Sequence, residues 1–290
     1  MNWVIVGQGA LGSLLAIKLQ QQGQSVSILT RNNGAAEARQ LAQQQLQFTT
    51  ITLQQLALQA QPTTVIAAVK AYQLEALLEQ LSALPAHCQL LLSYNGILDN
   101  EAQLLPANCL HWVTTHGAYR DGEQVRHAGL GKSWLGWHQA DYGAPPQALL
   151  TELGAALPPL QWKADIQRQR WHKLAINCLI NPFTVLHNCR NGELLNLPIS
   201  AAMLELASEI SVLARQLQQL ELAPQQLLAE ALAVAEKTAN NRSSMLSDVL
   251  AGRPTEIAYL NGFVVRQSAK LGLTASANQR LWQQLQQRGA

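Results

Sequence analysis

Charge is scarce in this chain. Asp, Glu, Lys and Arg make up 13% of its 290 residues and the formal net charge is only +2. No basic run is interleaved with aromatics, so the electrostatic footprint of a nucleic-acid binder is missing. Cysteine is equally sparse. Cys88, Cys109, Cys178 and Cys189 form no C-x-x-C pair and no Cys/His cluster at zinc spacing, which excludes a disulfide framework or a zinc module and leaves reduced thiols. The histidines look dispersed, so no metal is expected. No apolar run approaches the roughly 20 residues needed to span a bilayer. The glycines of a tight turn arrive by residue 7, too early for a signal peptide. A soluble, cytoplasmic protein is expected. Glutamine is abundant instead, as in QQQLQ (43–47) and RQLQQL (215–220), and reads as the solvated face of amphipathic helices.

What is present begins at the N-terminus. Trp3 to Val6 reads as a buried strand and runs into Gly7-Gln8-Gly9-Ala10-Leu11-Gly12, a G-x-G-x-x-G turn. A helix-forming stretch to Gln22 follows, then Gly23 and a second strand, Ser25 to Leu29. This strand–turn–helix–strand setting is the context that a dinucleotide-binding motif requires. Gly7 permits the turn, Gly9 lets a pyrophosphate approach the backbone, and Gly12 allows close helix–strand packing. The phosphates would sit on free N–H groups at the helix start. A purely structural glycine turn is the alternative. The second strand ends Ile28-Leu29-Thr30-Arg31-Asn32, with no acid before Glu37 to hold a ribose 2′-hydroxyl. Arg31 can instead fork onto a 2′-phosphate, which favours NADP over NAD.

Strand and helix signals then alternate to about residue 165. Strands are expected at 64–69, 89–93 and 111–115 and helices at 74–84 and 147–157, the pattern of a doubly wound parallel, Rossmann-type sheet. Lys70 and Asn95 each follow a strand, at the carboxyl edge where such sheets bind ligands. Residues 117–137 read as antiparallel strands closing the sheet, with Asp121-Gly122 as a hairpin turn. Beyond Asp165 only long helices are expected, at 166–186, 199–219, 224–238, 255–272 and 276–288. The expectation is therefore an α/β fold: a cofactor domain over 1–165 and an all-α domain over 166–290.

The first of those helices carries Lys173, Asn177 and Asn181 at four-residue spacing. At about 100° per residue these fall on one stripe of a largely apolar helix. Buried polar groups need partners. Either a small polyhydroxy substrate supplies them or an internal amide network does.

Together GQGALG, VKAYQ, YNG, WHKLAINCLINPFT and RSSMLSDVLAGRPTEIAYLNG resemble the 2-dehydropantoate 2-reductase (ketopantoate reductase) family, in order and over essentially the whole chain. The resemblance implies reduction of 2-dehydropantoate to (R)-pantoate by NADPH, on the route to pantothenate and coenzyme A. It implies that Gly7, Gln8, Gly9, Ala10, Leu11, Gly12, Arg31, Lys70, Asn95 and Ala118 hold NADP. It implies Lys173 as catalytic acid with Glu256 orienting substrate and lysine, and Asn95, Asn177, Asn181, Asn191, Asn241 and Ser244 as substrate contacts. Tyr94 and the stretch 131–137 depart from the family's usual pattern.

In chemical terms, hydride delivery to a ketone leaves charge on oxygen, and Lys173 can neutralise it provided burial keeps its pKa within reach of neutrality. Glu256, two residues after Pro254, is expected in the first turn of the 255–272 helix, and Ser243 and Ser244 as caps of the helix after them. A reductase of another small keto acid and a non-catalytic NADPH-binding regulator are the alternatives. The small-molecule site requires neither nucleic acid nor membrane, and a monomer or homodimer is expected.

Overall fold

The computed structural model describes residues 2–30 and 37–288. It divides into two compact units, Met1–Tyr94 with Ala102–Ile166, and Asn95–Glu101 with Gln167–Ala290. The division is not sequential: a seven-residue piece of the first half clusters with the helical unit.

In chain order the first half contains β1 (Asn2–Val6), α1 (Ala10–Gln21), β2 (Ser25–Leu29), β3 (Glu37–Leu41), β4 (Gln44–Ile51), α2 (Leu53–Ala57), β5 (Thr63–Ala68), α3 (Ala71–Leu81) and β6 (Cys88–Ser93). Then follow α4 (Glu101–Leu104), β7 (Leu110–Thr114), β8 (Gly117–Asp121), β9 (Gln124–Gly129), β10 (Ser133–Trp137), α5 (Gln147–Ala156) and β11 (Leu160–Trp162). The strands form one sheet in the order β11-β10-β7-β6-β5-β1-β2-β4-β3-β9-β8.

Strands β2, β1, β5, β6 and β7 are mutually parallel. Every residue of β5 and β7 is buried, as expected of parallel strands covered on both faces. The sheet as a whole is mixed rather than parallel, because β10 runs antiparallel to β7 and the β3–β4 and β8–β9 hairpins extend the opposite end. The β3–β4 hairpin is a correction to the sequence reading, which put QQQLQ on a helix. Its residues favour helix in isolation, but β4 pairs with β2 (Ser27↔Thr49) and buries Phe48, and tertiary pairing overrides propensity. Through β3, the strands β8 and β9 come to pack on α1.

The second unit is built on α6 (Gln167–His187), α7 (Ser200–Gln218), α8 (Pro224–Lys237), α9 (Ser244–Leu250), α10 (Asn261–Lys270) and α11 (Ser276–Gln287), with 3-10 turns at Asn191–Asn196 and Ile257–Tyr259. It has a separate hydrophobic core, in which Trp171 of α6 meets Phe263 of α10 edge to face at 5.9 Å between ring centroids. Ile97 belongs to this core too. Pro182 lies inside α6 without breaking it. The Cys178 carbonyl, which lacks the N–H that any other residue at 182 would offer, receives Asn261 Nδ2 at 3.5 Å. The expected 255–272 helix is interrupted: Leu260 takes φ −106, ψ −105, separating the 3-10 turn from α10. Glu256 therefore precedes a 3-10 turn and does not lie in the first turn of an α-helix.

Candidate active site

Within the first unit the glycine motif is under backbone constraint at two positions and open at the third. Gly7 has φ +102, and a Cβ on it would lie 2.3 Å from the Ala68 carbonyl oxygen at the end of β5. A Cβ on Gly12 would lie 2.4 Å from the Gly7 carbonyl oxygen. These contacts let β1, α1 and β5 approach closely. Gly9 is different. Its φ of −70 is ordinary, nothing stands within 4 Å of a Cβ built there, and it caps α1 without any side-chain hydrogen bond. The first turn of α1, which includes Ala10, Leu11 and Gly12, contains no acid. An open, uncapped, acid-free helix start fits an anionic pyrophosphate.

Lys70 is the residue that caps α3, two positions after β5, the strand against which Gly7 packs; Gln73 Oε1 accepts its N–H at 3.2 Å. Ala118 is half-buried in β8, paired with His127, and packs into the hydrophobic layer of this unit. Arg31 lies outside the described residues. Two arginines that sequence reasoning did not single out converge on Gln8. Arg39 of β3 donates to Gln8 Oε1 at 3.2 Å, to Ser13 at 3.2 Å and to Glu37 at 3.0 Å, while Arg120 of β8 donates to the Gln8 carbonyl. Burial lowers the Arg120 pKa, Arg39 adds to the effect and Glu37 opposes it. No local pattern marks either arginine, since strand pairing alone brings β3 and β8 to the loop.

In the helical unit, Lys173, Glu256 and Asn95 meet. Asn95 Nδ2 donates to Glu256 Oε2 at 2.9 Å, and Glu256 is buried. The ammonium of Lys173 is enclosed by protein although the residue keeps some accessible surface. Burial lowers its pKa from 10.5 to about 8 against the opposing pull of the Glu256 carboxylate. The main chain beside Asn95 is equally constrained. Gly96, at φ +83, would place a Cβ 2.3 Å from the Tyr259 carbonyl oxygen, and Ile97 N–H donates to the same oxygen at 3.1 Å. The piece 95–101 is tied down further on. Glu101 accepts a buried two-pronged bond from Arg170 at 2.6 and 2.7 Å, and Asp99 accepts from Arg266 and Gln267, each at 2.6 Å. Arg170 is one helical turn before Lys173.

The stripe continues along α6. The side-chain amides of half-buried Asn177 and buried Asn181 make no hydrogen bond among the described residues. Beyond Asn181, the Thr184 hydroxyl is 2.7 Å from that of Ser243, which caps α9 by accepting Leu246 N–H at 3.0 Å. Ser244 is the exposed first residue of α9. Asn191 and Asn241 are joined to each other: Asn191 N–H donates to the Asn241 carbonyl at 3.0 Å. Asn191 Nδ2 is spent on Thr238 at 2.8 Å, and its Oδ1 is enclosed. Asn191 thus braces the 238–241 loop.

The histidines are less dispersed than the sequence suggests. Cys109, His111 and His138 place their ligand atoms within 4.8 Å of one another, a grouping that linear spacing does not show, because His138 follows β10, which pairs antiparallel with β7.

Residues 3–140 match the sequence profile described as Ketopantoate reductase PanE/ApbA, and residues 165–289 match that of its C terminal part. The 2-dehydropantoate 2-reductase of Vibrio cholerae is 33% identical over 98% of this chain and 97% of that protein. The enzyme of the same name from Yersinia pestis is also 33% identical, over 98% of this chain and 93% of that one. Among solved structures, 2-dehydropantoate 2-reductase from Geobacter metallireducens superposes with a TM-score of 0.84 at 22% identity, covering 99% of this chain and 100% of that one. D-mandelate dehydrogenase with NADH and anilino(oxo)acetate shares the fold at a TM-score of 0.82 and 21% identity, covering 98% and 96%. Profiles spanning both halves and relatives matched end to end agree with a glycine-motif unit followed by a lysine-bearing helical unit: the chain belongs to the ketopantoate reductase family.

Proposed function

We propose that this protein reduces 2-dehydropantoate to (R)-pantoate with NADPH, as the names of its full-length relatives indicate, and so serves pantothenate and coenzyme A biosynthesis. The observation that carries the mechanism is the Lys173–Glu256–Asn95 group, a lysine brought to about pKa 8 next to a buried carboxylate that already holds an amide. The open start of α1 at Gly9 fits the cofactor's pyrophosphate, with Gly7, Gln8, Ala10, Leu11 and Gly12 shaping it and Lys70 following β5. Arg31 is assigned the 2′-phosphate and Ala118 a place near the cofactor. Residues 1–165 are assigned to cofactor and 166–290 to substrate.

When bound, NADPH supplies the hydride for C2 of the keto acid. The chain's own residues do the rest. Lys173, protonated, hydrogen-bonds the ketone oxygen and passes its Nζ proton to that oxygen as negative charge develops there. Glu256 holds the ammonium in place and accepts a substrate hydroxyl, while Asn95 fixes the carboxylate's orientation. Asn177 and Asn181 line the same face of α6 and offer free amides to the substrate. Ser244 and Asn241 are assigned its carboxylate end, and Asn191 acts by bracing Asn241.

The four cysteines are free thiols, in keeping with a cytoplasmic setting, and the protein acts as a monomer or homodimer. No helix among the described residues is long and apolar enough to cross a membrane. The test is NADPH absorbance with ketopantoate, run beside NADH and beside pyruvate, 2-ketoisovalerate and phenylglyoxylate. Turnover confined to NADPH and ketopantoate is expected. Preference for another keto acid overturns the substrate, and equal use of NADH overturns the Arg31 assignment.

A further inference from the structure

Cys109, His111 and His138 form a cluster that the reduction does not use. Cys109 immediately precedes β7 and His111 is its second residue, so at two-residue spacing their side chains leave the same side of the chain. The β7–β10 pairing runs His111↔Gly136 and Leu110↔Trp137, which sets His138 opposite Cys109; His138 N–H donates to the Cys109 carbonyl at 2.9 Å and confirms the pairing. The three ligand atoms lie within 4.8 Å of one another, and His111 Nε2 is 3.0 Å from His138 Nδ1. Cys109 and His111 are buried and His138 is half-buried, so the cluster has a rigid floor and one accessible side.

We propose that Cys109, His111 and His138 bind one Zn²⁺ ion, with a water molecule in the fourth position on the side of His138. One thiolate and two imidazoles suit zinc, whereas the hard, oxygen-seeking Mg²⁺ and Ca²⁺ would find no oxygen ligand among them. Ligands held on two hydrogen-bonded strands need little reorganisation. The proton between the two rings moves to the outer nitrogen of whichever ring carries it, leaving His111 Nε2 and His138 Nδ1 as lone-pair donors. The Cys109 S–H proton is released to solvent as the Zn–S bond forms, so binding liberates one proton. The ion would cross-link β7 to β10 and stabilise the first unit. The site lies within that unit alone and is independent of the proposed reduction.

The test uses the full-length protein, stripped with a chelator and titrated with ZnCl₂ and, separately, CoCl₂. Expected are uptake of one metal per chain, a thiolate-to-cobalt charge-transfer band, release of one proton (from calorimetry in buffers of different ionisation enthalpy), and a raised melting temperature. Cys109→Ser should abolish the charge-transfer band. His138→Ala, at a half-buried position that tolerates truncation, should weaken zinc binding by at least the ~100-fold lost when even a metal's supporting shell is removed. Absence of stoichiometric uptake, a cobalt spectrum without thiolate character, or binding that persists undiminished in both variants overturns the proposal.

Discussion

In the proposed reaction, Lys173 gives up stability for its role as the acid. Its folded pKa, about 8, lies below the ordinary 10.5, so the folded chain binds this proton more weakly than the unfolded chain does. The unfolded state therefore holds more protons between pH 8 and 10.5, and stability rises with pH through that window. Below it, the buried ammonium costs about 3 kcal/mol. Lys173→Met should accordingly unfold at higher denaturant than the wild type at pH 7, by about that amount, while losing turnover by about 10²–10⁴-fold. An inactive variant with unchanged or reduced stability would contradict the burial argument. The same pKa sets the pH profile. The proposed reduction uses the protonated lysine, so kcat for ketopantoate reduction should hold constant below pH 8 and fall about tenfold per pH unit above it. A profile flat to pH 10 would remove Lys173 from the acid role.

At the scale of elements, the glycine-rich turn separates folding from binding. Gly7→Ala meets both a positive φ and the Ala68 carbonyl, and should destabilise the first unit by several kcal/mol. Gly9→Ala meets nothing in the chain itself and should melt within about 1 °C of the wild type. It should nonetheless raise the KM for NADPH at least tenfold, because the added methyl group occupies the approach to the helix start. Equal stability with unchanged KM would move the cofactor away from this turn. The 95–101 segment makes a complementary case. It is held to α6 by Arg170–Glu101, and removing one partner leaves a buried charge uncompensated. Glu101→Ala should cost about 3–5 kcal/mol in urea unfolding of the helical unit. It should also lower kcat, because Asn95 loses its anchored position against Glu256.

At the scale of the whole molecule, two separate hydrophobic cores make two stability reporters available. A ligand at 100 times its Kd stabilises the unit that binds it by about 2.7 kcal/mol. NADPH should therefore slow amide hydrogen exchange in β1, α1 and β5, and ketopantoate added with it should slow exchange in α6 and α9. Protection by NADPH confined to the helical unit would reverse the assignment of the two halves.

Some of this protein was written locally. The turn at Gly7–Gly12 is legible because each glycine answers a short-range need, and the buried strands β5 and β7 are legible because a strand covered on both faces has no polar face to alternate with. The stripe Lys173–Asn177–Asn181 is set by helical geometry alone. Other features depend on partners far away in the chain. The Gln-rich segment 43–47 became strand only because β2 offered an edge to pair with. Glu256 left the expected helix because the turn at 257–259 accommodates Gly96 and Ile97. Arg39, Arg120 and the Cys109–His111–His138 cluster carry no linear signature. Sequence by itself determined most of the long helices, the central strands and the chemical types on offer, since propensity and periodicity act over a few residues. Only the tertiary structure decided the sheet's edges, the burial that lowers the Lys173 pKa and the side chains that meet, because those depend on contacts such as Arg39–Ser13 and Asn95–Glu256, 26 and 161 positions apart.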